Sequence, residues 1–297
     1  MPIALRQALE EMLDGWKDDL SPAWKAALAD VEPDFAAVDP DLQHESWEPI
    51  FPTRRGKTIP GAPRKAHIFR ALDGTGPADV RAIVIGQDPY PNVSWATGRA
   101  FEQGDLEDWL PNPALVSDSL ERIIPAVAVA RTGNPEYTDL VNASRAWARV
   151  VADLASGALS LQSPGRLFDH WQQQGVLFLN AGLTLSRFQR GGSDHQLKGH
   201  IPLWRPVVQA ILRAIATRPS GHVVFLLWGS VARSFFQESG IEQAARDAGT
   251  WQTRVRTVTQ AHPAASNDDG PLFFREPNTF LDANRVLREM GAEEVEW

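Results

Sequence analysis

The 297-residue chain contains no cysteine. Disulfide bonds, thiolate metal sites and cysteine nucleophiles are therefore excluded, and the absence fits an intracellular protein. The sequence also lacks an apolar run long enough to cross a membrane. Its first residues, MPIALRQALEEMLDGW, include acids where a signal peptide has a basic start and a continuous apolar run. We therefore expect a cytoplasmic protein with no membrane partner.

Positive charge is scarce as well. The chain has 29 Lys and Arg against 37 Asp and Glu, a net charge of −8, which argues against nonspecific adhesion to nucleic acid. Any DNA-binding surface must therefore be a local patch. The best candidate is Ser186–His200, which carries Arg187, Arg190 and Lys198 against one acid, Asp194. An ordinary solvated loop is the alternative, and the segment in isolation favours it.

Apolar and amphipathic segments alternate along the chain, a pattern typical of a parallel sheet with helices on both faces. Helical periodicity occurs at roughly 2–15, 114–126, 137–157, 202–217, 230–247 and 277–290, with a short helix at 65–71. No repeat or linker divides the sequence. We therefore predict one α/β domain over residues 1–297 with a central four-stranded parallel sheet flanked by helices. The predicted strands are Arg81–Ile85, Val176–Leu179, His222–Leu227 and Arg254–Val258.

Each predicted strand is followed directly by polar or turn-forming residues. The first strand leads into GQDPY (86–90) and the second into Asn180, while Gly229-Ser230 and His262-Pro263 follow the other two. Ligands of open parallel sheets bind outside the carboxyl ends of the strands. The four endings are therefore expected to converge on one cleft.

The first of these endings carries the chemistry. In GQDPYP (86–91) a glycine and two prolines fix a tight turn that presents one carboxylate, Asp88. The hexapeptide alone is equally consistent with a structural turn. Its gapless continuation, GQDPYPNVSWATGRAF, resembles the water-activating loop of family 1 uracil-DNA glycosylases.

Further motifs of that family follow in order, so that the resemblance covers about residues 16–287. WQQQGVLFLNAGLTL (171–185) is similar to the strand that ends in a base-reading asparagine, and VVFLLWGS (223–230) to a phosphate-contacting turn. AHPAASNDDGPLFF (261–274) looks like the histidine and minor-groove loop, and PNTFLDANRVL (277–287) like the closing helix. The resemblance implies the uracil-DNA glycosylase fold and a monofunctional DNA N-glycosylase. Such a hydrolase flips a pyrimidine, most simply uracil, out of DNA and leaves an abasic site. It implies a monomer that binds single- or double-stranded DNA and needs no metal or cofactor.

The resemblance also implies a role for individual residues. Asp88 and His262 are the catalytic pair, with Asp88 orienting water and stabilising a sugar cation, and a neutral His262 stabilising the departing base. The expected base-binding residues are Gln87, Tyr90, Phe101 and Asn180, and the expected DNA-binding residues are Gly229, Ser230, Ala264, Ser266 and Leu272 with the three cations of Ser186–His200. Each has a structural alternative as a turn, cap or core residue.

The His262 loop departs from the family pattern. Relatives continue with Ser-Pro-Leu-Ser, in which the leucine enters the vacated base stack, whereas this chain has Ala264–Asn267 followed by two acids. Acids facing DNA weaken phosphate attraction. Leu272 is either a displaced wedge or a core anchor of the loop. The loop after Tyr90 differs too, with Pro91-Asn92 in place of His-Gly.

Two segments lie outside the family core. An N-terminal helical extension covers residues 1–45, and a helical insertion covers about 131–161. The insertion follows the loop at 111–115, which in the family compresses the DNA backbone. It is either a decorative surface helix or a rebuilt DNA-facing rim.

Three functions follow, in order of preference. The first is a uracil-excising repair enzyme, since all the key residues are in register. The second is a glycosylase for a modified pyrimidine, such as a hypermodified cytosine of phage DNA, acting in antiviral defence. The third, a non-catalytic DNA-binding protein of the same fold, conflicts with the intact Asp88 and His262, because binding alone needs neither.

Overall fold

The computed structural model describes residues 2–110, 115–189 and 192–297. A short antiparallel pair, β1 (Ile3–Ala4) with β2 (Gln43–His44), precedes the central sheet. That sheet has the order β4-β3-β5-β6, all parallel. Its strands are β3 (Ala82–Gly86), β4 (Val176–Asn180), β5 (Val223–Trp228) and β6 (Val255–Gln260). The predicted α/β class and four-stranded parallel sheet are confirmed, and each strand ends one or two residues later than the sequence predicts.

Helices cover both faces of the sheet. They are α1 (Leu5–Leu13), α2 (Pro22–Ala27), α3 (Leu120–Thr132), α4 (Ala143–Ser156), α5 (Pro164–Gln173), α6 (Ile201–Ala216), α7 (Gly229–Glu238), α8 (Ile241–Asp247) and α9 (Thr279–Glu289). The sequence did not predict α2 or α5. The helix predicted at 230–247 is two helices, because Gly240 between them has a left-handed φ of 63° that ends α7. A 3-10 turn at Arg70–Leu72 replaces the helix predicted at 65–71.

Alternate residues of each central strand enter different cores. Ile83 and Ile85 pack with α1, α2, α6, α7 and α8 on one face, whereas Ala82 and Val84 pack with α3, α4, α5 and α9 on the other. Burial on both faces explains why β3, β4 and β5 are continuous apolar runs, whereas the edge strand β6 carries half-buried and exposed polar residues. Polar residues instead occur at the carboxyl ends of these strands.

The inserted region contains α4, which begins later than predicted because the Asn142 side chain accepts hydrogen bonds from two backbone N–H groups of its first turn. The helix packs against α3, and the Tyr137 hydroxyl donates to Asp153 over 2.9 Å. A further short hairpin, β7 (Ser266–Asn267) with β8 (Gly270–Pro271), follows the sheet. Among the described residues no helix is both long and apolar enough to span a membrane. The single-domain organisation remains a prediction.

Candidate active site

A pocket of about 230 Å³ opens at the carboxyl end of the central sheet. All six residues predicted to be catalytic or base-binding line it, namely Gln87, Asp88, Tyr90, Phe101, Asn180 and His262. They come from the ends of β3, β4 and β6 and from the loop that carries Phe101. Three of the four strand endings therefore converge on this pocket, whereas the Gly229-Ser230 ending of β5 does not line it.

Asp88 is half-buried just past β3. Its Oδ2 atom is buried and has no hydrogen-bond partner among the described residues. Burial raises the pKa of the carboxyl group from 3.8 to about 7, because the charged form loses its hydration. Buried polar atoms without partners are rare in folded proteins, and a substrate bound in the pocket can supply the partner.

His262 lines the same pocket from the loop that follows β6. Its Nδ1 accepts a hydrogen bond from the backbone N–H of Ala264 over 3.2 Å. In the neutral ring the proton must therefore sit on Nε2, which leaves a donor for the pocket. Desolvation lowers the pKa of His262 below its ordinary value and favours this neutral form.

Asn180 is the last residue of β4 and lies beside Gly86 of β3. Its Oδ1 atom is buried without a partner among the described residues. A Cβ atom at position 86 would overlap this oxygen and the Cβ of Ala100. Glycine is thus required for the amide to lie across the end of β3. The backbone carbonyl of neighbouring Gln87 accepts from the Gly182 N–H over 2.8 Å, which joins the two strand ends beneath the pocket.

Two aromatic residues form the walls. The Tyr90 hydroxyl lies 2.7 Å from Ser117 Oγ and 3.4 Å from the carbonyl oxygen of Phe101, and burial raises the pKa of this phenol above its ordinary value. Phe101 has a φ of 62°, a left-handed conformation that is rare for a bulky residue. Its ring packs 5.3 Å from that of Trp228 and 5.9 Å from that of His262. A residue held in this left-handed conformation costs about 1–3 kcal/mol of strain, and such residues cluster at functional sites.

Comparison with known proteins identifies the family of this chain. The model of the uracil DNA glycosylase superfamily matches residues 74–288. The chain belongs to that superfamily. This membership confirms the predicted resemblance and the predicted enzyme class, a DNA N-glycosylase.

Individual relatives of this glycosylase cover nearly the whole chain. It is 30% identical to the uracil-DNA glycosylase of Chromobacterium violaceum over 94% of this chain and 91% of that protein. Identity to the uracil-DNA glycosylase of Nocardioides sp. is 29% over 98% and 97%. The fold is similar to the crystal structure of wild-type UNG from Nitratifractor salsuginis, with a TM-score of 0.58, 20% identity and 99% of both chains covered. It is similar also to mimivirus uracil-DNA glycosylase, with a TM-score of 0.58, 16% identity and coverage of 99% and 93%.

The glycosylase holds His262 in place through Gly229. This glycine starts α7 with a left-handed φ of 82°. A Cβ atom there would lie 2.8 Å from the Cβ of His262, closer than side chains pack. Ser230, the next residue, is exposed at the N-terminus of the helix, where free backbone N–H groups suit a phosphate.

The other predicted DNA-binding residues of the His262 loop differ in accessibility. Ala264 and Ser266 are exposed, whereas Leu272 is half-buried at the base of the β7–β8 hairpin. The Leu272 backbone N–H donates to the Ala265 carbonyl over 3.0 Å. The adjoining Phe273 is fully buried, so this end of the loop is anchored in the core.

The Ser186–His200 patch has less free charge than its sequence suggests. Arg187 forms a two-armed ion pair with Glu48, and Lys198 Nζ lies 3.3 Å from Asp194. The two histidines, His195 and His200, are buried and hydrogen-bonded to Ser186. Arg190 lies outside the described residues. DNA binding by this patch stays a prediction.

Sequence reasoning missed two serines of the site. Ser119 lines the pocket at the start of α3, and Ser117 holds the Tyr90 hydroxyl. The run Ser117-Asp118-Ser119 is a typical helix start, but it falls inside the helix predicted at 114–126, whereas α3 begins only at Leu120. Nothing local in that run indicates contact with residues some thirty positions earlier.

Proposed function

We propose that this glycosylase hydrolyses the N-glycosidic bond of uracil in DNA, leaving free uracil and an abasic site. The observation that carries the proposal is the pocket in which a neutral imidazole meets a buried carboxylate oxygen and a buried amide oxygen, both without a partner among the described residues. Its volume of about 230 Å³ is below the usual range for larger small-molecule ligands, about 300–1,000 Å³, and suits a single flipped base.

Asp88 and His262 would share the work of bond cleavage. As the bond between C1′ and N1 breaks, positive charge grows on the sugar and negative charge on the base. The Asp88 carboxylate stabilises the sugar cation and orients the water whose oxygen bonds to C1′. The Nε2–H of His262 donates to the O2 atom of the departing base, as in an oxyanion hole. The neutral form of His262 is sufficient for this hydrogen bond.

The remaining pocket residues would select the base. The Asn180 amide offers one donor and one acceptor to the Watson–Crick edge of a flipped pyrimidine. The ring of Phe101 would stack on the base. Gln87, which lies between Gly86 and Asp88 in the chain, would help to hold the base. Tyr90 stands against C5 and excludes a methyl group, since two hydrogen bonds restrain its hydroxyl.

DNA is the proposed partner of the face around the pocket. Ser230 and the N-terminus of α7 would bind a phosphate, and Ala264 and Ser266 would follow the DNA backbone. A monomeric, cytoplasmic protein remains our expectation. The fixed position of Tyr90 speaks against a pyrimidine with a bulky C5 substituent, and therefore against the antiviral alternative. A protein that only bound DNA would not need the desolvated carboxyl group of Asp88, which argues against the non-catalytic alternative.

A base-release assay tests the proposal. Single-stranded oligonucleotides carrying one uracil, thymine, cytosine or glucosylated hydroxymethylcytosine are incubated with the protein, and abasic sites are cleaved with alkali. We expect cleavage of the uracil strand only, and none with Asp88→Asn. Release of the modified cytosine in preference to uracil would support the antiviral alternative, whereas no release from any strand would favour a binding protein.

A further inference from the structure

Two adjacent apolar side chains project from the inserted region just before α4. Leu140 is 51% exposed and Val141 is 71% exposed. The turn that presents them is ordered, because Asp139 Oδ1 accepts hydrogen bonds from the N–H groups of Val141 and Asn142 over 2.8 and 2.9 Å. Buried Tyr137 anchors the chain before the turn. The hydrogen-bonded turn and the buried Tyr137 therefore hold Leu140 and Val141 in their exposed positions.

The same turn is joined to the His262 loop. Gly270 of β8 has a φ of 115°, and a Cβ atom there would lie 2.8 Å from the Val141 carbonyl oxygen and closer still to that of Leu140. Arg275 links the two segments, since its guanidinium donates to the carbonyls of Leu140 and Asp269. The apolar pair is thus fixed against the hairpin that follows the catalytic histidine.

The position is within reach of DNA held at the pocket. The backbone from His262 to Asn267, which pairs with Gly270, spans at most about 18 Å. The hairpin tip itself offers Asn267, Asp268 and Asp269, which are polar or acidic and unsuited to insertion between bases. Leu272 is half-buried at the hairpin base.

We propose that Leu140 and Val141 form the wedge of this protein, entering the base stack of duplex DNA as the target nucleotide leaves it. The inference rests on the proposed base-excision function. Removing a base from a duplex costs unstacking and unpairing free energy, which an inserted apolar side chain offsets. Here the insertion supplies those side chains and the hairpin positions them.

The test compares single-turnover uracil release from a single strand and from a U:A duplex of the same sequence. We expect Leu140→Ala/Val141→Ala to lower the duplex rate about tenfold or more and to leave the single-strand rate within twofold of wild type. Leu281→Ala, which truncates a leucine of similar exposure (47%) on α9, should change neither rate. Leu272→Ala should have less effect on the duplex than the double substitution.

A second readout follows the stack directly. A duplex with 2-aminopurine beside the uracil should brighten on binding of an Asp88→Asn protein and brighten less when the wedge substitutions are added. Equal losses on both substrates, an unchanged duplex rate, or a duplex-specific loss confined to Leu272→Ala would each overturn the wedge assignment. Failure of the wild type to release uracil from the single strand would instead refute the proposed function.

Discussion

Replacing Asp88 with asparagine should stop catalysis while making the fold more stable above neutral pH. Burial raises the Asp88 pKa from 3.8 to about 7, equivalent to roughly 4 kcal/mol of preference for the neutral carboxyl group. The folded state therefore keeps this proton to a higher pH than the unfolded state does. Stability is then lost as the pH rises from about 4 to about 7. Asparagine has no proton to lose and avoids that loss.

Urea unfolding at a series of pH values measures the effect. The free energy of unfolding of Asp88→Asn should exceed that of wild type by about 2 to 4 kcal/mol at pH 8, and the gap should close towards pH 4. In the same preparations, single-turnover uracil release at pH 8 should fall by about a thousandfold. Substitution of the exposed Asp30 by asparagine is the matched control and should alter neither quantity.

The pH dependence of the wild-type rate follows from the same carboxylate. Release should increase as Asp88 ionises and level off above about pH 7. A stability gap that did not change with pH, or one that favoured the wild type at pH 8, would refute the reasoning on burial. An Asp88→Asn protein with near wild-type release would refute the catalytic role.

Substitutions at four other positions probe the pocket. His262→Ala should lower release about a hundredfold, and the wild-type rate should not decline between pH 7 and 9, because the lowered His262 pKa keeps the ring neutral throughout. Asn180→Asp should shift the ratio of uracil to cytosine release towards cytosine, since an acceptor replaces the amide donor. Tyr90→Ala should permit thymine release and Tyr90→Phe should not, because only the former opens the space at C5. Gly229→Ala should slow release more than it weakens binding of single-stranded DNA, since its Cβ displaces His262, and an unchanged rate would remove Gly229 as a support.

Local sequence signals account for much of the fold and pocket. Three strands, β3, β4 and β5, were predictable because each is a short apolar run buried along its whole length. Asp88 and Asn180 follow their strands directly, so that parallel topology alone brings them to one edge.

Contacts between distant segments explain what the sequence did not reveal. The charge on Arg187 is matched by Glu48, 139 residues earlier, and no local pattern shows this pairing. Similarly, Leu140 meets Arg275 across 135 residues, so that an insertion that reads as a surface helix lies against the His262 loop. The break at Gly240 depends on a backbone conformation that helical periodicity does not encode.

Direct detection of the released base is the most decisive measurement. Single-stranded DNA containing one uracil is incubated with wild-type protein and with Asp88→Asn, and the small-molecule fraction is analysed by chromatography and mass spectrometry. We expect free uracil in an amount equal to the abasic sites formed by the wild type, and almost none from Asp88→Asn. Intact DNA after prolonged incubation with wild type, or equal uracil release by both proteins, would contradict this expectation.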